Sequence, residues 1–167
     1  TLSLTGFIIN IRFFAILFLL GSAHITLAQK NFRTITDLPS ALNEISGMEA
    51  IDHQRFYAIN DGGNASEVMV VDTNGTILSR HRIDASNKDW EDLSLSATHL
   101  YIGDFGNNGN SRKDLRILKI DLNDLKDTGL ITPSIIAFEY EDQTEFPPAA
   151  AHLEFDCEAF FEFNDSL

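Results

Sequence analysis

Residues that build covalent or metal-bound cross-links are rare in this chain. Cys157 is the only cysteine among 167 residues, which excludes an internal disulfide and every zinc or redox site that needs a cysteine pair. Proline is also scarce, with four residues, and the hydrophobic fraction is 44%. These proportions are typical of a folded core rather than of a disordered chain. We interpret the single thiol as a buried structural side chain.

Basic residues are few, and the balance of charge is strongly acidic. The net charge is −13, and outside residues 1–28 only 11 Lys and Arg face 25 Asp and Glu. Such a surface repels nucleic acid and anionic membranes, both of which bind through basic patches. It attracts cations, above all hard divalent ions that take oxygen ligands. Simple solubility of an exported protein would also account for much of this charge.

Several signatures of known catalytic sites are missing. The sequence has no GxSxG elbow, no Walker-type phosphate loop and no HExxH zinc motif. Its five histidines show no metal-ligand spacing, and the acidic turn that begins at Asp61 lacks the later glutamate of an EF-hand loop. A Ser-His-Asp triad is not excluded by residue order alone.

The first 28 residues predict a secretory signal peptide. Arg12 precedes the apolar run 13–20, and Thr26-Leu27-Ala28 resembles a small-x-small cleavage site before Gln29. The apolar run is shorter than the roughly 20 residues of a membrane anchor. We therefore expect a secreted or periplasmic chain with no stable membrane insertion after cleavage. An uncleaved, membrane-anchored form is the alternative.

Three segments of the remaining chain, residues 29–167, resemble one another. Each combines a small or acidic residue, a larger residue, Glu, a short residue and an apolar one. They are residues 46–51 (SGMEAI), 88–93 (KDWEDL) and 155–160 (FDCEAF). The glutamates are separated by 42 and then 67 residues. The first spacing is that of a propeller blade, and the second requires an insertion, for which residues 141–152 are the candidate.

Short β-branched and aromatic runs follow each of these segments. Residues 55–61 and 99–104 both end in Asp before a Gly- and Asn-rich turn, and Asn74-Gly75 predicts a hairpin. Each unit therefore reads as four strands. We predict an all-β fold, a β-propeller fragment of about two and a half four-stranded blades behind a helical signal peptide. On this interpretation residues 29–167 are the N-terminal part of a truncated propeller domain.

The repeated glutamates predict a metal site. The first strands of propeller blades line a shared channel, so Glu49, Glu91 and Glu158 are expected to converge there. Like charges at close range need a cation, protons or donors to neutralise them, and calcium accepts six to eight oxygens in irregular geometry. The alternative is structural, with each glutamate accepting backbone N–H groups of the neighbouring blade.

Three further carboxylates are candidate metal ligands. Asp61 and Asp104 end the second strands of their units and precede glycine, which lets the backbone bend toward a ligand. Asp89 lies two residues before Glu91, and both should share one face of a strand while Trp90 packs between blades on the other. Ordinary Asx turns would explain the Asp and Asn residues equally well.

These motifs also carry a family resemblance. The segments concerned are residues 59–64 (INDGGN), 89–93 (DWEDL), 101–108 (YIGDFGNN) with Arg112, and 156–159 (DCEA). They resemble exported bacterial six-bladed propeller proteins near the phytase-like, gluconolactonase-like and NHL-type groups. The resemblance covers about residues 40–165. It implies a six-bladed fold and, as in calcium-dependent relatives, a cation at the channel mouth, but no particular substrate. Cys157 stands where a small residue is expected.

Two functions follow as hypotheses. The first is a calcium-binding propeller that serves as a ligand-binding or scaffold module, for a small-molecule or protein ligand that the sequence does not identify. The second is a metal-dependent hydrolase of phosphoesters or lactones, incomplete in a truncated chain. The first is favoured because the sequence shows no recognisable nucleophile. Against a phosphoesterase, the only clustered basic residues are Arg112, Lys113 and Arg116.

Overall fold

A computed structural model describes residues 34–149, 152–164 and 166–167. The predicted signal peptide at residues 1–28 lies outside the described residues. The compact unit considered below spans Ile35–Leu167. Within the described part of the chain, no helix has the length and apolar character needed to cross a membrane.

The first sheet is a meander of four antiparallel strands with one added edge strand. Its strands follow chain order as β1 (Ile45–Ala50), β2 (Arg55–Asn60), β3 (Glu67–Asp72) and β4 (Ile77–Ile83). The edge strand β8 (Leu130–Ile131) comes from much later in the chain and pairs with β4 in parallel. A loop that leaves the second sheet thus closes the outer edge of the first.

The second sheet repeats the same meander. Its strands are β5 (Trp90–Leu95), β6 (His99–Asp104), β7 (Arg116–Asp121) and β9 (Ser134–Ala137), all antiparallel. The all-β prediction is confirmed, as are the four strands of each of the first two units. The predicted insertion at residues 141–152 contains no strand among its described residues.

Two short 3-10 helices cover the sheets rather than join them. The first, Ser40–Leu42, buries Leu42 against the face of the first sheet that points away from the second. The second, Asp124–Lys126, follows β7 and buries Leu125 in the core between the sheets.

The β3–β4 hairpin shows how the turn chemistry fixes the strands. Oδ1 of Asp72 accepts the backbone N–H groups of Asn74 (2.9 Å) and Thr76 (2.8 Å). Gly75 has φ +80°, whereas Asn74 keeps a negative φ. Only Gly75 therefore needs the left-handed region, and the register shifts at Val70/Val71 just beyond the turn.

The main core lies between the two sheets. Trp90 is fully buried there, as predicted, beside apolar residues of both sheets. The fully or nearly buried members of this cluster are Ile59, Val68, Ile83, Trp90, Leu93, Leu100, Ile102, Leu118, Ile120, Leu125 and Ile131. Because neither sheet can bury this face alone, each depends on the other for stability.

The first strands of the sheets lie side by side. Oγ of Ser46 in β1 donates to the carbonyl of Trp90 in β5 (2.7 Å), and a Cβ on Gly47 would lie 2.7 Å from the backbone N of Leu93. Beyond β5 comes the third segment, since Oδ2 of Asp92 accepts the N–H of Phe160 (3.1 Å). The three segments singled out in the sequence are therefore neighbours in space.

The strand register corrects the predicted alignment of the first two segments. Ile45 pairs with Asn60 in the first sheet, and Trp90 pairs with Asp104 in the second. Both pairs precede a bulge, so Ile45 corresponds to Trp90 and the repeat is 45 residues here, not 42. The predicted equivalence of Glu49 and Glu91 is wrong, because Ser46 occupies the place of Glu91. Both alignments match acidic residues with acidic ones and apolar residues with apolar ones, so only the strand pairing distinguishes the two registers.

Candidate functional site

Three carboxylates meet where β2 ends and β5 begins. Asp61 directly follows β2, Asp89 directly precedes β5, and Glu91 lies within β5. One carboxylate oxygen from each lies within 4.8 Å of the other two. Asp61 is exposed, whereas Asp89 and Glu91 are half-buried. All three were candidate metal ligands in the sequence, and the structure brings them together.

Asn87 ties the two strands of this site to each other. Its Nδ2 donates to the carbonyls of Asn60 (3.0 Å) and Asp61 (2.8 Å), and its Oδ1 accepts the N–H of Trp90 (3.2 Å). This amide thus fixes the end of β2 against the start of β5. Asn87 was not predicted from the sequence, because a single Asn in a loop carries no spacing signal.

Asp104 lies behind the site and has other partners. It is fully buried, and its Oδ1 accepts the backbone N–H of Asp89 (3.1 Å) and Nη2 of Arg112 (3.0 Å). Its Oδ2 accepts Nε of Arg116 (2.8 Å). Both oxygens are therefore engaged within the protein, and Asp104 positions Asp89 rather than joining the three carboxylates.

Gly106 has no side chain, and this leaves room for the carboxylates of Asp89 and Glu91. A Cβ at this position would collide with Oε1 of Glu91 and Oδ2 of Asp89. Its N–H donates to the carbonyl of Asp89 (3.2 Å), and its carbonyl accepts Nη1 of Arg112 (2.9 Å). The glycine after β6 is thus required by close approach of side chains and not by its φ angle.

Burial and the charges of the site raise the pKa of Glu91 to about 7. Burial is the largest cause, followed by the negative charges of Glu158, Asp61, Asp89 and Asp156. A carboxyl group with this pKa is partly protonated at neutral pH. A proton or a cation would therefore relieve the repulsion at this site.

Neighbouring carboxyl groups respond in the same direction. Burial and then the charge of Asp61 raise the pKa of Asp89, while Arg112 opposes the rise. Burial and then Asp156 raise the pKa of Glu158, which also shares a hydrogen bond with Glu91. Glu158, a predicted ligand, therefore borders the three carboxylates.

Asp156 is the member of this group that was not predicted from the sequence. Its Oδ1 accepts the N–H of Asn107 (2.6 Å), and its Oδ2 accepts Nδ2 of Asn108 (2.9 Å). A signal was present, because Asp156 follows Asp89 by the same 67 residues that separate Glu158 from Glu91. The pair Asp-x-Glu is thus repeated at equivalent places in the second and third segments.

Glu49 does not join this group. It lies further along β1, paired with Tyr57, and the backbone groups of Leu95 and Ala50 near its carboxylate act to lower its pKa. Burial and then the charge of Asp92 raise its pKa. Leu95 belongs to β5, so Glu49 makes the contact to the neighbouring sheet that the structural alternative predicts.

The geometry suits a hard cation with oxygen ligands. Asp61, Asp89 and Glu91 offer convergent carboxylate oxygens, and Glu158 and Asp156 add negative charge beside them. No thiolate or imidazole belongs to this group among the described residues, which disfavours zinc and copper relative to calcium or magnesium. Comparison with protein-family models, curated protein sequences and solved structures found no match to this chain.

Proposed function

We propose that this chain is part of an exported acidic β-propeller that binds calcium at Asp61, Asp89 and Glu91 and serves as a ligand-binding or scaffold module. Two successive four-stranded meanders with adjacent first strands support the propeller. A third segment continues the same order beyond β5. This is the arrangement that blades adopt around a common axis.

The convergence of the three carboxylates carries the proposal of a metal. Their oxygens lie within 4.8 Å of one another. Given the length of calcium–oxygen bonds, one calcium ion can contact all three oxygens at this separation. Calcium fits better than magnesium because it tolerates irregular ligand geometry, whereas magnesium demands a near-ideal octahedron. A bound cation would remove the repulsion that raises the pKa of Glu91.

Calorimetric titration of the purified chain with CaCl₂ after EDTA treatment tests this site. We expect saturable binding of one ion and a higher melting temperature, because a ligand that binds only the folded state stabilises it. Asp61→Asn and Glu91→Gln should each weaken binding by at least about tenfold, since each removes one charged ligand.

Glu49→Gln is the matched control. It removes a half-buried carboxylate from the neighbouring first strand without touching the three ligands. Calcium affinity should therefore stay within about twofold of that of the unsubstituted chain. Equal loss in Glu49→Gln and Glu91→Gln, or no heat from the unsubstituted chain, would remove the assigned site.

The convergent carboxylates also suit one alternative, a metal-dependent hydrolase of phosphoesters or lactones. A cation held there would lower the pKa of a bound water. The cation would supply polarisation of the scissile group. Turnover of such esters with calcium but not with EDTA, and its loss in Glu91→Gln, would favour this function. Activity that survives Glu91→Gln would exclude it at this site.

A further inference from the structure

A cleft between the two sheets lies at the opposite end of the strands from the carboxylates. It has a volume of about 720 Å³ and is lined by residues of both sheets, including Arg55, Tyr57, Ser79, His81 and Lys126. Arg55 begins β2, whereas Asp61 follows its end. A substitution in the cleft therefore tests chemistry that is independent of the proposed calcium site.

Ser79 and His81 form a hydrogen-bonded pair in this cleft. They lie two residues apart in β4, on one face of the strand. Oγ of Ser79 lies 2.8 Å from Nε2 of His81. Ser79 is half-buried, and His81 is only 5% exposed. Both side chains line the cleft, and the imidazole is the more buried of the two.

The contact on the other side of the imidazole fixes the tautomer. Nδ1 of His81 lies 3.3 Å from the carbonyl oxygen of Asp127. A carbonyl only accepts, so the neutral imidazole carries its proton on Nδ1. Nε2 is then an acceptor, and the Ser79 hydroxyl must donate to it. This is the polarity in which histidine acts as a general base for a serine nucleophile.

The second sheet shows that the fold does not require this histidine. Strand pairing places Tyr57, Val70 and Ser79 in one row across the first sheet. The matching row of the second sheet is Tyr101, Lys119 and Ser134. By the same pairing, Ile136 takes the place of His81. Tyr and Ser are thus present in both sheets, but only the first sheet pairs the serine with an imidazole.

We propose that Ser79 is a nucleophile activated by His81, and that the cleft accepts carboxylic esters. Oγ attacks the acyl carbon as its proton passes to Nε2 of His81. The bond from the acyl carbon to the leaving alcohol breaks, and His81 returns the proton to that alcohol. Water then attacks the acyl-serine by the same proton path and releases the carboxylic acid. Tyr57 lines the same cleft and offers a phenol donor there.

A fluorophosphonate probe tests the nucleophile directly, because it forms a stable adduct on activated serine by displacement of fluoride. The folded chain should acquire one adduct, which peptide mass spectrometry should place on Ser79. Ser79→Ala should abolish the adduct. His81→Ile, which copies the second sheet, should slow labelling roughly a hundredfold, within the range of general-base catalysis. His81→Gln, which keeps a polar side chain, should slow it equally.

Two controls come from the chain itself. Among the residues that the structure describes, Ser134 has no imidazole partner, and it should stay unlabelled. His99→Gln removes the imidazole of an exposed, local pair with the Thr98 hydroxyl, and should leave the labelling rate unchanged. Saturating EDTA should also leave it unchanged, which separates this activity from the proposed calcium site. Absence of an adduct on Ser79, equal labelling of Ser134, or unchanged labelling in both His81 variants would overturn the proposal.

Discussion

Glu91 is the residue at which burial and like charge combine most strongly. Its carboxyl group lies among four other carboxyl groups, which together with burial raise its pKa from the ordinary 4.5 to about 7. The folded state therefore holds a proton on Glu91 in a pH range in which the unfolded chain has lost it. Stability must then depend on pH through this one side chain.

The sign of that dependence is fixed by the direction of the shift. In EDTA, the contribution of Glu91 to stability is complete below pH 4.5 and is lost as the pH rises through about 7. Asp89 and Glu158, whose pKa values are also raised, act in the same direction. We expect the melting temperature to fall between pH 5 and pH 8, and calcium to reverse the fall at pH 8.

Thermal unfolding at several pH values, with Glu91→Gln as the comparison, checks this expectation. The variant cannot ionise at position 91, so its melting temperature should depend less on pH. The lowered pKa values of Asp52, Asp72 and Asp121 do not interfere, because those groups are already ionised in both states in this range. A slope that is identical in both proteins would contradict the assignment.

Gly106 gives a second prediction at the scale of one residue. Gly106→Ala places a methyl group against Oε1 of Glu91 and Oδ2 of Asp89, which must then move apart. We expect calcium binding to weaken by at least about tenfold, because ligand geometry is lost while all charges remain. Gly129→Ala is the matched control for the calorimetric titration and should leave calcium affinity unchanged. No heavy atom lies within 4 Å of a Cβ at that position among the described residues, and it precedes β8, away from the carboxylates.

At the scale of the element, the end of β6 organises the site through buried charge. The carboxylate of Asp104 accepts hydrogen bonds from the backbone of Asp89, from Arg112 in the following loop and from Arg116 in β7. The two guanidinium groups are only 16% and 18% exposed. This network connects β5, β6 and β7 at the place where the carboxylates converge.

Removal of the central carboxylate should therefore be costly. Asp104→Ala leaves two largely buried guanidinium groups without their partner, and we expect a loss of about 3 kcal/mol in unfolding free energy. Urea unfolding measures it. Asp114→Ala is the comparison, because its salt bridges to Lys88 and Arg112 are more exposed and should contribute less than about 1 kcal/mol. Equal losses in both variants would show that the buried network has no special role.

At the scale of the whole molecule, the two sheets stabilise each other through one core. Among the described residues, Trp90 is the largest fully buried side chain of this core, and its Nε1 has no hydrogen-bond partner. The indole therefore contributes through packing alone and carries the cost of a buried, unsatisfied N–H group. Loss of this packing should therefore destabilise both sheets together.

Two substitutions at Trp90 distinguish packing from polarity. Trp90→Ala should destabilise the chain by about 3–5 kcal/mol, because it opens a large cavity between the sheets. Trp90→Phe should lose less than half as much, since it keeps an aromatic ring and removes the unpaired N–H. Both losses are measurable by urea unfolding with circular dichroism. Equal losses for Phe and Ala would mean that the indole does not act through packing alone.

Local sequence patterns determined the strands and the presence of an acidic site. Alternating apolar residues, Asn-Gly and Asp-Gly turns and the buried Trp90 sufficed for an all-β chain of four-stranded units, because strand period and turn chemistry act over a few residues. The same patterns identified Asp61, Asp89 and Glu91. They did not fix which residues of different units correspond, since similar letters fit more than one register.

The tertiary structure decided the register and with it the membership of the site. The pairing across a bulge shows that Ser46, and not Glu49, occupies the position equivalent to Glu91. Glu49 lies near the neighbouring sheet instead. The tertiary structure also pairs Asp104 with two arginines and places Asp156 beside Glu158. Such choices depend on contacts between residues far apart in the chain. A shift of one residue reverses the face of every side chain in a strand, so no local pattern can replace the pairing itself.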